Sequence, residues 1–127
     1  MTVSTPLHFL VVDDNEDIRE IMAHVVELLG HNADQACDGA EALEALAVQR
    51  YDFMLLDLTM PRMTGQDVLR WLRDHPEWAT DLHVIVISAW AKDQQVMLKE
   101  LGAYAVLPKP LRVQQLHDLV DSVKHTT

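Results

Sequence analysis

Three short runs of almost purely apolar residues, Phe9–Val12, Phe53–Leu56 and Val84–Ile87, constrain this chain more than any other feature. A run with no polar alternation reads as a strand covered on both faces, the pattern of a parallel sheet sandwiched between helices. Two weaker strand candidates, Ala33–Cys37 and Tyr104–Leu107, fall in the gaps. Between the runs the spacing of apolar residues becomes helical. Ile18, Ile21, Met22, Val25, Leu28 and Leu29 share one face, and Gly30 supplies a stop. Asp38 with Glu41 is a capping pair that opens a helix through Leu43 and Leu46, and Thr64 with Asp67 opens one through Val68, Leu69 and Leu72. Residues 92–101 carry Val96, Met97 and Leu101 before Gly102, and the last pattern is Val113, Leu116, Leu119, Val120 and Val123. The order βαβαβαβαβα predicts an α/β fold in which five parallel strands are joined by right-handed crossovers and helices cover both faces.

The 127 residues fit one domain, 1–127 with its core at about 7–124, without internal repeat or linker. Twenty acidic against ten basic side chains give a net charge of −10, which argues against charge-driven binding to nucleic acid. No apolar run approaches the roughly 18 residues of a membrane span, and the opening MTVSTPLH has no basic segment followed by a long apolar one. A cytoplasmic location and no membrane contact are therefore expected. Cys37 has no partner for an internal disulfide and reads as a small apolar side chain. The seven histidines show no H-x-x-x-H spacing and read as surface residues, and Trp78 reads as a cover for the sheet edge.

In open parallel sheets, ligands bind beyond the carboxyl ends of the strands. Here the strand ends are Asp13-Asp14, Asp57, Ser88-Ala89 and Lys109-Pro110. Any one of these could be a helix cap or turn residue. Together the fold would bring acids, a hydroxyl and an ammonium to one rim. Three neighbouring carboxylates disfavour one another's ionisation, and a divalent cation relieves this. Magnesium takes hard oxygen ligands, using one or two carboxylates plus a phosphate. Lys109 can pair with phosphate oxygens and Ser88 can donate a hydrogen bond. Such a set suits phosphoryl transfer with an aspartate as the nucleophile.

The joint pattern Asp13-Asp14, Asp57-x-x-Met-Pro-x-Met-x-Gly65, Ser88-Ala89 and Lys109-Pro110 resembles the receiver domain of two-component response regulators, over residues 7 to 124. The resemblance implies a flavodoxin-like, doubly wound sheet of order 2-1-3-4-5 with five helices. It implies that Asp57 takes a phosphoryl group from the phosphohistidine of a sensor histidine kinase or histidine phosphotransfer protein. Mg²⁺, for which Mn²⁺ can substitute, would be held by Asp14, Asp57 and the Thr59 backbone carbonyl, with Asp13 acting through a metal-bound water. Ser88 would be the switch hydroxyl and Lys109 the phosphate contact, with a cis bond at Lys109–Pro110. On this reading the apolar run anchors Asp57 while its carboxylate meets solvent. Met60 and Met63 pack into the core, Pro61 stiffens the following loop, and Gly65 permits a close approach.

One position departs from the family. An aromatic residue usually stands three before the lysine, and here it is Val106, which has no ring to move. Tyr104, two residues earlier and so on the same strand face, and Trp90 are the candidates to supply an output aromatic instead. Thr59 and Trp90 also occupy positions that govern attack of water on the acyl phosphate, and a bulky Trp90 is expected to lengthen its lifetime. The overall expectation is a stand-alone phosphoacceptor, not a turnover enzyme, that assists its own phosphorylation and dephosphorylation and signals to a downstream protein. The alternative is the receiver portion of a larger regulator. A Mg²⁺-dependent phosphatase of the haloacid dehalogenase type is disfavoured, because Thr59 stands where its general acid would be and no length remains for a cap. A binding module without phosphorylation is disfavoured by the complete side-chain set. A flavin carrier is disfavoured by the acids that replace a phosphate loop after the first strand.

Overall fold

The computed structural model describes residues 5–124; the first four residues and the terminal His125, Thr126 and Thr127 lie outside them. The elements follow in the order β1 (His8–Val12), α1 (Glu16–Leu28), β2 (Asn32–Ala36), α2 (Gly39–Val48), β3 (Phe53–Asp57), α3 (Gly65–Asp74), a short 3-10 turn (Pro76–Ala79), β4 (His83–Ser88), α4 (Ala91–Glu100), β5 (Ala105–Pro108) and α5 (Val113–Lys124). All pairings are parallel, and the sheet order is β2-β1-β3-β4-β5. The expected α/β, flavodoxin-like architecture is thus present, with β2 displaced one residue earlier and β5 one residue later than the sequence placed them. Among the described residues no helix is long and apolar enough to cross a membrane.

Side-chain alternation sorts the core into two layers. Leu10, Val12, Met54, Leu56, Val84, Val86 and Val106 pack with residues of α2, α3 and α4, whereas Phe9, Val11, Phe53, Leu55, Ile85 and Ile87 pack with α1 and α5. Every residue of β3 is buried, so its sequence has no polar alternation. β2 lies at the edge and buries only Ala36 among Asn32–Ala36, which is why its apolar signal is weak. Asn15 starts α1 by accepting the Ile18 N–H at 3.0 Å. Thr64 and Asp67 form a reciprocal capping box on α3. At α2 the pair is offset: Asp38 accepts from Glu41 N–H at 2.8 Å, but the Glu41 carboxylate reaches Cys37 N–H at 3.0 Å instead of Asp38. Gly30 and Gly102 end α1 and α4 at φ +89° and +111°, conformations that favour glycine.

Several expected packing faces are corrected. Ile21 and Leu28 of α1 are each 62% exposed, outside the stripe formed by Met22, Val25 and Val26. In α4 the apolar pair Val96 and Met97 points outward, with Val96 74% exposed. The inward stripe is Ala91, Gln94, Leu98 and Leu101, a helical spacing in which two members carry little hydrophobic signal. His31, His75 and His83 are half-buried instead of superficial, stacked or tilted on Phe9, Trp71 and Phe53. Trp78 stands edge-on to Trp71 and lines a groove with Tyr51 and Leu82, beside the starts of the central strands, not at a sheet edge. Cys37 donates its thiol hydrogen to Glu41 at 3.2 Å; that bond, together with burial, pushes its pKa up.

Candidate functional site

Strand register brings the site together. Val12 pairs with Leu56, so Asp13 and Asp57 leave adjacent strands side by side, and Asp57 itself pairs with Ile87, just before Ser88. Ser88 pairs with Pro108, and the Lys109 backbone N–H donates to the Ser88 carbonyl at 3.1 Å. Carboxylate oxygens of Asp13, Asp14 and Asp57 lie within 4.8 Å of one another. Lys109 Nζ reaches Asp57 Oδ1 at 2.8 Å and Asp13 Oδ2 at 3.5 Å. The Lys109–Pro110 peptide bond is cis.

Asp57 is more enclosed than its place at a strand tip implied: only 4% of it is exposed. Burial raises its pKa; the Lys109 hydrogen bond opposes this, and the charges of Asp13 and Asp14 reinforce it. Burial also works to lower the pKa of Lys109, but the hydrogen bond and charge of Asp57, with Asp13 behind them, outweigh it, and the net shift is upward. The ammonium is thus firmly charged, while the carboxylate opposite it is undercompensated.

Asp13 is almost fully buried. Its Oδ1 accepts the Asn15 N–H at 2.9 Å, but its Oδ2 has no hydrogen-bond partner, since the 3.5 Å approach of Lys109 is an ionic contact too long to satisfy it. Three carboxylates face one ammonium, a local excess of two negative charges with an orphaned buried oxygen. Oxygen donors at this density fit a small divalent cation such as Mg²⁺, which tolerates one or two protein carboxylates and completes its shell with water or phosphate.

The loop after β3 is pinned at both ends. Gly65 N–H donates to the Leu58 carbonyl at 3.0 Å. A Cβ built on Gly65 would lie 2.6 Å from the Asp57 carbonyl oxygen, so only glycine lets α3 start this close to β3. Arg62, at φ +69°, sends its guanidinium to Asp38 Oδ2 at 3.0 Å, and the side chain of Met63 lies where a Cβ on Gly39 would fall. Backbone N–H donation from Glu41, with Arg62 assisting, holds the Asp38 carboxyl below its ordinary range. Met60 is buried, Met63 half-buried and Thr59 exposed. Sequence reasoning saw Asp38 only as a cap and missed Arg62; no local signal marks an ion pair between residues so distant in the chain.

Ser88 is buried at the end of β4. Its Oγ accepts the Trp90 N–H at 3.0 Å and donates to Gln94 Oε1 at 3.2 Å. Thr59, Ser88, Trp90 and Gln94 line a cavity of about 230 Å³, with Trp90 itself 68% exposed at its margin. Val106 is buried against the α2–α3–α4 layer. Tyr104 lies two residues before it, with its backbone N–H donating to the Val84 carbonyl at 2.8 Å. It precedes β5, and its ring stands edge-on to His83, the first residue of β4, at the end of the sheet opposite the acids. Five residues of strand, about 16 Å, separate His83 from Ser88.

The sequence profile of the response regulator receiver domain matches residues 9–121. The chain belongs to this family. The response regulator MprA of Mycobacterium sp. (strain KMS) is 36% identical over 112 residues, 87% of this receiver and 47% of the relative; the chain spans about half the length of the curated relatives it matches. Among solved structures, the receiver domain of the Francisella response regulator 1452 superposes with a TM-score of 0.84 at 28% identity, covering 95% of this receiver and 99% of that chain. The chemotaxis response regulator CheY4 of Vibrio cholerae gives 0.83 at 27%, covering 94% and 99%. The receiver domain of a signal transduction histidine kinase from Syntrophus aciditrophicus gives 0.79 at 29%, covering 91% and 88%.

Proposed function

We propose that this receiver accepts a phosphoryl group on Asp57 from the phosphohistidine of a sensor histidine kinase or histidine phosphotransfer protein. The acyl phosphate then changes which downstream protein the domain binds. The observation that carries this reading is the buried Asp57 carboxylate at 2.8 Å from Lys109, grouped with two more acids and an Asp13 oxygen that has only the 3.5 Å ionic contact with Lys109. Lys109 engages Asp57 Oδ1, which leaves Oδ2 to attack phosphorus. The new O–P bond forms as the donor's N–P bond breaks, and its electron pair returns to the imidazole. Asp14, Asp57 and the Thr59 carbonyl would hold Mg²⁺ or Mn²⁺ directly, and Asp13 would hold it through water. The metal supplies charge neutralisation to the phosphoryl oxygens. Lys109 exchanges its carboxylate partner for a phosphoryl oxygen, and Ser88 donates its hydroxyl hydrogen to another.

An apolar groove of about 250 Å³, lined by Ile18, Ile21, Met22, Ile87, Lys109, Pro110 and Leu111, opens beside the site and supports a protein donor that packs over α1. The domain is a phosphoacceptor rather than a turnover enzyme, acts in the cytoplasm and makes no nucleic-acid contact through charge, in keeping with its net −10. A second reading, the receiver portion of a longer regulator, is favoured by MprA, of which the matched region is 47%. The size of the native gene product separates it from a stand-alone domain. The chemistry is tested with a small phosphodonor, with and without Mg²⁺, on wild type and Asp57→Asn.

A further inference from the structure

The Ser88 hydroxyl has one hydrogen, and in this structure it goes to Gln94 Oε1 at 3.2 Å. Gln94 is half-buried on α4 between Ala91 and Leu98, and its carboxamide oxygen meets the Ser88 hydroxyl at the tip of β4. The start of α4 is otherwise lightly held. Its N-cap, Trp90, provides no side-chain cap, and the helix buries only Ala91 and Leu98 among the described residues. Ser88 meanwhile accepts the Trp90 N–H, which places both the cap and the first turn of α4 on one hydroxyl. A hydroxyl that donates to Gln94 cannot donate to a phosphoryl oxygen at the same time.

We propose that Gln94 is a positioning residue that retains the Ser88 hydrogen in the resting protein and yields it on phosphorylation, so that occupation of Asp57 unties the first turn of α4 from β4. This deepens the phosphoacceptor reading of Asp57 and rests on it. With Val106 in place of a ring, the Ser88–Gln94 bond gives the site a direct polar route to α4, the helix that carries the exposed Val96 and Met97.

The test uses beryllofluoride with Mg²⁺ as the phosphoryl mimic, titrated calorimetrically into the full chain. The proteins are wild type, Asp57→Asn, Gln94→Leu, Gln94→Glu, Ser88→Ala and the Ser88→Ala/Gln94→Leu double variant. Loss of one neutral hydrogen bond from the resting state tightens mimic binding by Gln94→Leu about two- to tenfold. Gln94→Glu, a stronger acceptor, weakens it. In the Ser88→Ala background Gln94→Leu has no effect, because the two act through one hydrogen. In resting, metal-free protein, hydrogen exchange over residues 91–95 accelerates in Gln94→Leu and at least as much in Ser88→Ala, which also removes the acceptor of the Trp90 N–H, and the double variant exchanges no faster than Ser88→Ala. A Gln94→Leu effect that persists without Ser88, an absent or opposite effect, or unchanged exchange overturns the latch while leaving Asp57 chemistry standing. Failure of wild type to bind the mimic, or equal binding by Asp57→Asn, overturns the phosphoacceptor reading and the latch with it.

Discussion

Replacing Asp57 by asparagine should stabilise the metal-free protein. At the 4.8 Å limit that contains the three carboxylates, each repulsion on Asp57 is worth about 3.5 kcal/mol at an effective dielectric of about 20, or about 7 kcal/mol for two neighbours. The attraction to Lys109 at 2.8 Å returns about 6 kcal/mol on the same scale. Asp14 is exposed and its share is screened, but burial, the largest influence on Asp57, adds to the unfavourable side. The balance is a penalty of about 1 kcal/mol for holding Asp57 ionised, which for a domain of this size corresponds to a melting temperature about 3–5 °C higher in Asp57→Asn. Its sign has a pH signature. The folded pKa of Asp57 lies above its unfolded value, so the penalty is full above the folded pKa and disappears as pH falls below the ordinary carboxylate range. Magnesium should reverse the ranking, since a cation at about 100 times its dissociation constant stabilises wild type by about 2.7 kcal/mol. Differential scanning calorimetry in chelator and in Mg²⁺, at neutral and acid pH, reads all of this. An Asp57→Asn protein less stable than wild type in chelator, or equal Mg²⁺ stabilisation of both, would refute the reasoning.

Other perturbations follow from single contacts. Gly65→Ala forces a Cβ against the Asp57 carbonyl and should destabilise the fold by about 1–3 kcal/mol while slowing phosphorylation, read by denaturant titration and intact mass. Ile21→Glu places a charge at the apolar groove beside Lys109 and should slow transfer from a phosphohistidine protein about tenfold or more, with no change toward a small phosphodonor. Trp90→Ala removes the ring at the margin of the cavity shared with Thr59 and Ser88 and should shorten the acyl phosphate lifetime; an unchanged dephosphorylation rate would rule out shielding.

What could be read from the sequence depended on where each residue's neighbours lie in the chain. β1, β3 and β4 were legible because strands covered on both faces cannot alternate, and the carboxyl rim followed from parallel connectivity alone. β2 and β5 carried weaker signals because each is an edge with one neighbouring strand, and both shifted by one residue. In α4, counting apolar residues selects Val96 and Met97, whereas the buried residues are Ala91 and Leu98, with the half-buried polar Gln94 between them. The Arg62–Asp38 ion pair and the enclosure of Asp57 depend on tertiary approach, for which no local pattern exists.

The most direct measurement is intact mass after exposure to a small phosphodonor, with Mg²⁺ and with chelator, for wild type and Asp57→Asn. One phosphoryl adduct that needs both Mg²⁺ and Asp57 is the predicted result. An adduct that forms equally in chelator, or that survives in Asp57→Asn, would contradict the account.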